Sequence, residues 1–132
     1  MNNLMKDKRG LVMGVANDKS IGWGIAKAIA DQGGELAFTY QGEALKKRVI
    51  PLADSVNSDI VLPCDVSNDE DIDNTFNELK KVWPKIDFLV HAIAFSDKDE
   101  LKGEYVDTSR ENFINTMDIS VYSFTAIARR AS

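Results

Sequence analysis

The regular alternation of short apolar runs with longer segments of helical periodicity constrains this fold more than any other feature of the sequence. We predict strands at residues 10–13, 36–40, 60–64 and 86–92, with helices between and after them. Strands that are apolar on both faces and alternate with helices are typical of a parallel sheet covered on both sides. Right-handed crossovers then favour a doubly wound α/β sheet with the strand order 3-2-1-4.

The first two predicted helices are defined by apolar spacing and by helix-breaking residues. The first helix begins at Ile21 and ends at the glycine pair 33–34, where a positive φ is tolerated. In the second helix, Pro51 is expected to disturb or end the helix because proline lacks a backbone N–H. The buried stripe predicted for the first helix consists of Ile21, Ile25, Ala28 and Ile29.

Two later helices begin with the spacing of a capping box, in which two side chains satisfy backbone N–H groups at a helix start. Ser67 and Glu70 have this spacing after the third strand, and Thr108 and Glu111 have it after a polar stretch that follows the fourth. Helical spacing then continues from residue 113 almost to the end of the chain. We therefore expect a sheet truncated after its fourth strand and the helix that follows.

No linker rich in proline, glycine or serine divides the chain, so we expect a single domain over residues 1–132. With 132 residues, of which 44% are hydrophobic, the chain can bury one apolar core without covalent cross-links. Truncation after the fourth strand would leave an apolar sheet edge with unpaired backbone groups. Such an edge favours association with further polypeptide.

Charge and cysteine content exclude several classes of protein. The net charge of −5 disfavours nucleic-acid binding, and we expect the cluster Lys46, Lys47 and Arg48 to be the solvated face of a helix. No apolar stretch approaches the ~20 residues that span a membrane, and the amino terminus lacks the apolar core of a signal peptide. A single cysteine, Cys64, allows no intrachain disulfide and fits the reducing cytoplasm.

The lone histidine and the lone cysteine are both expected to have packing roles. His91 is the only histidine, so a multi-histidine metal site is impossible, and we predict no metal ligands in this chain. Its place near the end of a strand is typical of a hydrogen-bonded core residue. Cys64 is expected to be a small buried hydrophobic residue.

The turn between the first strand and the first helix has the features that a dinucleotide pyrophosphate requires. Gly14 allows close backbone approach, Ser20 is a suitable N-cap, and the N–H groups from Ile21 onward lie where the helix dipole favours an anion. Gly24 is expected to let helix and strand pack closely. The spacing differs from the common Gly-x-Gly-x-x-Gly, so a purely structural turn remains an alternative.

Two polar residues follow the second and third strands, at the sheet edge where a bound dinucleotide would lie. Gln41 can bond to the adenosine ribose, and the carboxylate of Asp65 can accept a hydrogen bond from the adenine amino group. Both also suit ordinary turns. With no acidic residue at position 40 or 41, the choice between NAD and NADP stays open, since Glu43 and the cluster at Lys46 argue in opposite directions.

Several linked motifs in the same order resemble the bacterial NADH-dependent enoyl-acyl-carrier-protein reductases, a divergent branch of the short-chain dehydrogenases. The likeness covers nearly all of the 132 residues, and motifs linked in one order are more specific than any one of them. The matching segments are Gly14-x5-Ser20-Ile21-x2-Gly24-Ile25-Ala26, ELAFTYQ at 35–41, DIVL-x-CDV at 59–66, VWPK at 82–85, HAIAF at 91–95 and DIS-x-YS at 118–123.

The resemblance implies that this chain is the amino-terminal part of a Rossmann-like dinucleotide-binding domain. It also implies NADH as cofactor, with Gln41 favouring NADH over NADPH, an enoyl thioester on acyl carrier protein as substrate, and a homotetramer built mostly through other segments. The segment from Ala94 to Ser96 would border the acyl-thioester pocket, and the methyl group of Ala94, where relatives often have glycine, would narrow the space near the nicotinamide. The NADH site implied by the resemblance comprises Gly14, Ser20, Ile21, Gln41, Asp65, Val66 and Ile93.

The implied reaction reduces a carbon-carbon double bond conjugated to a thioester, with hydride reaching the β-carbon and charge moving to the carbonyl oxygen. The family's Tyr-x6-Lys pair is expected beyond residue 132. Tyr40 and Lys47 have this spacing but follow the second strand, on the adenosine side, so we attribute the match to chance. We assign no catalytic residue within this chain and expect the 132 residues alone to be inactive.

Two other functions remain open at this point. A non-catalytic dinucleotide-binding module is consistent with the absence of a catalytic tyrosine-lysine pair. Alcohol-ketone oxidoreduction, as in ordinary short-chain dehydrogenases, would instead require a Tyr-x3-Lys pair downstream.

Overall fold

A four-stranded parallel sheet forms the centre of the computed structural model, which describes residues 3–132. The strands are β1 (Arg9–Met13), β2 (Glu35–Tyr40), β3 (Val61–Pro63) and β4 (Phe88–His91). Their order is β3-β2-β1-β4, and every pair is parallel. The predicted doubly wound α/β fold and its strand order are confirmed.

Five α-helices flank the sheet in the described part of the chain: α1 (Ile21–Asp31), α2 (Glu43–Ser55), α3 (Asp69–Val82), α4 (Arg110–Met117) and α5 (Ser123–Ala131). A π-helical turn, Asp118–Tyr122, joins α4 to α5. Short 3₁₀ turns lie at Lys98–Leu101 and Tyr105–Asp107. Within residues 3–132, no helix is both long enough and apolar enough to cross a membrane.

The core lies on both faces of the sheet because successive residues of each strand point to opposite sides. Leu11 and Met13 of β1 join a buried cluster with α3 and α5, whereas Val12 joins a second cluster with α1 and α2. All three of these side chains are fully buried. The near-continuous apolar sequence of β1 therefore serves two helix layers at once.

The buried residues of α1 are Gly22, Trp23 and Ala26, so the predicted stripe is wrong for Ile21, Ile25 and Ala28, whereas Ile29 does pack against the core. Ile21 is 81% exposed and Ile25 is 37% exposed. The Trp23 ring instead packs near Phe38 of β2, with the ring centroids 6.3 Å apart. Apolar spacing predicts the period of a helix, but the burial of the large indole decides which face contacts the sheet.

Pro51 does not end α2, which was one of the two effects predicted for it. The helix continues past Pro51 to Ser55, and Pro51 itself is exposed. Val49 and Ala53, on either side of the proline, are completely buried in the cluster with β2. Packing on both sides of Pro51 holds the helix together where a backbone hydrogen bond is missing.

The start of α3 lies one residue later than the predicted capping box. Asn68, not Ser67, is the N-cap, and its side chain accepts a hydrogen bond from the N–H of Asp71 at 3.0 Å. The Ser67 hydroxyl instead donates to Asp65 at 2.6 Å. Neighbouring polar residues compete for the cap, and the turn geometry decides between them.

The start of α4 shows the same one-residue correction. Ser109 is the N-cap and accepts from the N–H of Asn112 at 3.0 Å, so the box predicted for Thr108 and Glu111 is wrong. The Thr108 hydroxyl accepts from the Asn112 side chain at 3.1 Å. Thr108 thus holds the side chain of Asn112, whose N–H group bonds to the cap residue Ser109, but it does not cap the helix itself.

A short chain of hydrogen bonds joins the end of β4 to α5. The Ser123 hydroxyl donates to the carbonyl oxygen of Ile119 at 2.5 Å, and His91 Nε2 lies 2.8 Å from the same hydroxyl. Because the hydroxyl proton is already donated, Ser123 accepts from His91, which places the ring proton on Nε2. Burial lowers the pKa of His91, and the neutral imidazole packs edge-on against Phe124, as predicted for a core residue.

An ion pair holds α5 against α3. Arg130 Nε lies 2.5 Å from Asp73 Oδ1, and its Nη2 lies 3.7 Å from Asp69 Oδ1. The hydrogen bond from Arg130 lowers the pKa of Asp73 below its ordinary value. The two carboxylates and the guanidinium thereby fix the helix that carries Ser123.

Replacing Gly10 with alanine is expected to destabilise the fold. An ideal Cβ at Gly10 would lie 2.3 Å from the Phe88 ring and 2.4 Å from the Phe88 carbonyl oxygen. We expect a loss of about 1–3 kcal/mol in the free energy of unfolding, measured by urea denaturation of the protein expressed from the whole open reading frame.

The matched control for Gly10→Ala is Gly24→Ala. A Cβ at Gly24 would have no atom within 4 Å, which also shows that the predicted close packing at Gly24 is wrong. Because alanine suits a helix interior, Gly24→Ala is expected to raise stability by about 0.5–1 kcal/mol. A Gly10→Ala protein as stable as the wild type would contradict the close approach of β1 and β4.

Stability is expected to fall with decreasing pH through His91. The unfolded histidine binds a proton near its ordinary pKa of about 6.5, whereas the folded one binds it only at lower pH, so stability rises with pH across this window. His91→Gln keeps a donor toward Ser123 and removes the titration. Urea denaturation between pH 5 and 8 should therefore show a smaller pH dependence for the variant, and equal slopes for the two proteins would contradict the prediction.

Candidate functional site

A cleft opens at the carboxyl ends of the strands, beside the switch point between β1 and β4. This is the edge of a doubly wound sheet at which ligands bind. The cavity has a volume of about 160 Å³. Its lining consists of Gly14, Val15, Ala16, Thr39, Tyr40, Gln41, Leu45, Cys64, Val66, Ala92, Ile93 and Ala94.

The fold brings together four residues of the predicted NADH site in this cleft: Gly14, Gln41, Val66 and Ile93. Asp65 lies between two lining residues, and Ser20 and Ile21 lie at the start of α1, after the glycine turn. Ser96 is not in this cavity. It borders a separate groove of about 340 Å³ between the 3₁₀ turns and α4.

The absence of a side chain at Gly14 is required by the fold itself. Gly14 has φ of +103°, and an ideal Cβ would lie 2.1 Å from the carbonyl oxygen of Ala92. A glycine at this position therefore permits the close approach of β1 and the segment after β4. Because Gly14 has no side chain, the cleft beside it also stays open to a ligand.

Ser20 is the N-cap residue of α1, as predicted, but its side chain does not cap the helix. Its hydroxyl instead accepts hydrogen bonds from the N–H groups of Ala16 at 3.0 Å and Asn17 at 3.1 Å. The Asn17 side chain accepts from the N–H of Lys19 at 2.8 Å. These bonds fold the turn back on itself and hold it in one conformation.

The first turn of α1 has free N–H groups that can bind an anion. It has neither a side-chain cap nor an acidic residue, so no side chain of residues 3–132 accepts a hydrogen bond from the N–H groups of Ile21, Gly22 and Trp23. An uncapped helix start presents free donors and a positive dipole end, the arrangement that binds phosphate. The geometry fits the diphosphate of a dinucleotide.

The Asp65 carboxylate stabilises a turn and retains an acceptor. Its Oδ1 accepts from the N–H of Ser67 at 3.0 Å and from the Ser67 hydroxyl. Among the hydrogen bonds of the described residues, none uses its Oδ2. The turn role and the predicted adenine contact are therefore compatible.

Two supporting residues of this turn were not identified from the sequence. The Asp71 carboxylate accepts from the N–H of Asp65, and the Thr75 hydroxyl lies 2.7 Å from the carbonyl oxygen of Pro63 at the end of β3. In the sequence, the signal for these two residues is their polar character on the face of α3 that is turned toward the end of β3. Pairing them with a particular turn requires the helix docking angle.

Cys64 and Tyr40 line the cleft where β2 and β3 end. Cys64 is 5% exposed, as predicted for a small buried residue, and burial raises the pKa of its thiol. Lys46 Nζ lies 5.8 Å from the centroid of the Tyr40 ring, a cation-π distance. Lys47 and Arg48 are exposed, so only part of the cationic cluster is the solvated face expected.

Comparisons with known proteins agree with this geometry. A curated relative from Rhizobium meliloti (strain 1021), named enoyl-[acyl-carrier-protein] reductase [NADH] 2, is 64% identical over all 132 residues, which make up 49% of that protein. The crystal structure of FabI from Candidatus Liberibacter asiaticus matches with a TM-score of 0.98 and 56% identity, over 99% of this chain and 51% of that one.

A second solved structure adds a bound cofactor. The reductase of Anaplasma phagocytophilum in complex with NAD matches with a TM-score of 0.95 and 56% identity, over 99% of this chain and 50% of that one. The chain thus spans about half the length of the curated relatives it matches. A family model described as enoyl-(acyl carrier protein) reductase matches residues 14–132, and since these are most of the sequence, the chain belongs to that family.

Proposed function

We propose that this chain forms the NADH-binding, amino-terminal part of an enoyl-acyl-carrier-protein reductase of fatty-acid synthesis. The observation that carries the proposal is the uncapped start of α1 beside a cleft at the sheet's switch point. The name of the Rhizobium meliloti relative specifies NADH, and the Anaplasma structure contains NAD. We propose that residues 1–132 belong to a single dinucleotide-binding domain.

The diphosphate would bind at the loop closed by Ser20 and at the N–H group of Ile21. Ile21 is 81% exposed, so its side chain is free to cover a ligand at the rim of the cleft. Gln41, Asp65 and Val66, at the ends of β2 and β3, would hold the adenosine. Gly14 and Ile93 would line the cleft between these two regions.

NADH, when bound, would supply hydride to the β-carbon of a trans-2-enoyl thioester carried on acyl carrier protein. The residues after β4 would bound the substrate side, with Ala94 on the cleft and Ser96 on the neighbouring groove. We assign no catalytic residue within residues 1–132. Tyr40 is only 9% exposed and lies at the end of β2, on the side of the cleft proposed for the adenosine. This position supports our view that its spacing with Lys47 arises by chance.

The complete protein is further proposed to be a cytoplasmic homotetramer. The net charge of −5 and the single cysteine of residues 1–132 suit a reducing, aqueous compartment. Ile114, Val121 and Phe124 are half exposed on the α4–α5 segment and supply apolar surface for subunit contact.

A non-catalytic dinucleotide-binding module is the second candidate. Among the described residues, Tyr105 and Tyr122 are 77% and 48% exposed and line no part of the cleft. Tyr40 does line the cleft, but its spacing with Lys47 is attributed to chance, so the cleft has no tyrosine assigned to catalysis, as expected for a module. Turnover measurements separate the two functions.

The reductase function predicts NADH oxidation that depends on an enoyl thioester. With the protein expressed from the whole open reading frame, loss of NADH absorbance should require a trans-2-enoyl thioester. A saturated acyl thioester is the control and should give no reaction. NADH binding without turnover would favour the module, and turnover with a ketone alone would favour alcohol-ketone oxidoreduction.

Ser20→Ala is expected to weaken NADH binding by roughly three- to tenfold, because two backbone N–H groups of the diphosphate loop lose their acceptor. Calorimetric titration with NADH measures the change. The control is Ser55→Ala, which removes a hydroxyl bonded to Leu52 near the end of α2 and should leave the affinity unchanged. Equal affinity of Ser20→Ala and wild type would contradict the proposed role of the loop.

A further inference from the structure

The segment that follows β4 crosses from the sheet to the α4–α5 layer and is held there by side chains. Ser120, in the π-helical turn, accepts from the N–H of Phe95 at 3.0 Å and lies 3.2 Å from the Phe95 carbonyl oxygen, to which it can donate. One hydroxyl therefore serves both backbone groups of a residue outside the sheet's hydrogen-bond ladder.

A second side chain holds the next two residues. Asn112 Oδ1 accepts from the N–H of Asp97 at 3.0 Å, and Asn112 Nδ2 donates to the Ser96 hydroxyl at 3.2 Å. The remaining Nδ2 proton is directed at Thr108. Since the carbonyl oxygen and the NH2 group lie at opposite ends of the planar amide, these partners define which way the Asn112 side chain is oriented.

The π-helical turn explains how one helical segment reaches two different targets. In an α-helix, residues three apart lie only about 60° apart around the axis. The wider π turn separates Ser120 from Ser123, so that Ser120 contacts the Phe95 backbone while Ser123, fully buried, contacts His91. Single π turns within helices are frequent at functional sites.

We infer that Ser120 is a positioning residue that sets the substrate side of the reductase site through the backbone of Phe95. Ala94, on one side of Phe95, lines the cleft, and Ser96, on the other, borders the adjoining groove. A shift of the Phe95 backbone therefore moves the residues on both sides of it, which border the region proposed for the thioester. This inference rests on the proposed function.

The diphosphate side is held independently of Ser120. The loop before α1 is closed by the Ser20 hydroxyl and by the bond from the Ser20 N–H to the Asn17 carbonyl oxygen. Loss of the Ser120 hydroxyl leaves these bonds intact. Removal of the Ser120 hydroxyl should consequently weaken binding of the thioester substrate much more than binding of NADH alone.

The test compares Ser120→Ala with Ser120→Thr in the protein expressed from the whole open reading frame. For Ser120→Ala we expect KM for a trans-2-enoyl thioester to rise roughly three- to tenfold, with Kd for NADH within twofold of wild type. Ser120→Thr retains the hydroxyl and should recover at least half of that loss. The matched control, Thr125→Ala, removes an exposed hydroxyl from α5 and should leave both constants unchanged.

Each outcome decides the inference. An unchanged KM in Ser120→Ala, or an equal loss of thioester and NADH binding, overturns it while leaving the reductase function standing. A wild-type protein without enoyl-dependent turnover overturns the proposed function and this inference together. If Ser120→Ala does not fold, Asn112→Ala, which releases Ser96 and Asp97, must show the same split between KM and Kd, and its absence overturns the inference.

Discussion

The close approach of β1 to β4 is the constraint on which the cleft depends. At Gly10 and Gly14 a Cβ atom would lie within 2.4 Å of Phe88 and Ala92, respectively. Without side chains at these two positions, the segment after β4 reaches the amino end of α1, where Gly22 also packs against Ala92. The bare backbone that packs the sheet also leaves an open surface for a ligand.

Hydroxyl groups organise the loops around this cleft where sheet hydrogen bonds end. Ser20 closes the loop before α1, Ser67 completes the turn at Asp65, and Ser120 holds the backbone of Phe95. Small side chains with both donor and acceptor capacity can satisfy neighbouring backbone groups without filling the space between them. The walls of the cleft are therefore held in place while its interior stays accessible.

The path from α4 to α5 links these loops to the core. Ser123 and His91 attach the helix to the end of β4, and Arg130 attaches it to α3 through Asp69 and Asp73. With both ends of the segment fixed, the π-helical turn directs Ser120 at the cleft's edge.

Much of this architecture was predictable because local patterns report it directly. The apolar runs identified all four strands, and crossover handedness then implied their order. Gly14 and Gln41 could be assigned to one cleft because the carboxyl ends of parallel strands meet at one edge of a sheet, whereas Ile93 was implied only by the family resemblance. The roles of Cys64 as a buried packing residue and of His91 as a partly buried, hydrogen-bonded one also followed from their place at strand ends.

Tertiary structure decided what depends on contacts between distant segments. Spacing alone could not show that α1 buries Trp23 and exposes Ile21, or that the packing of Val49 and Ala53 carries α2 through Pro51. The sequence by itself determined the elements, their order and the residue types at the cleft, since these follow from short-range periodicity and turn chemistry. Only the folded chain decided which hydroxyl meets which backbone group, because those partners lie far apart in sequence and are chosen by how the helices dock.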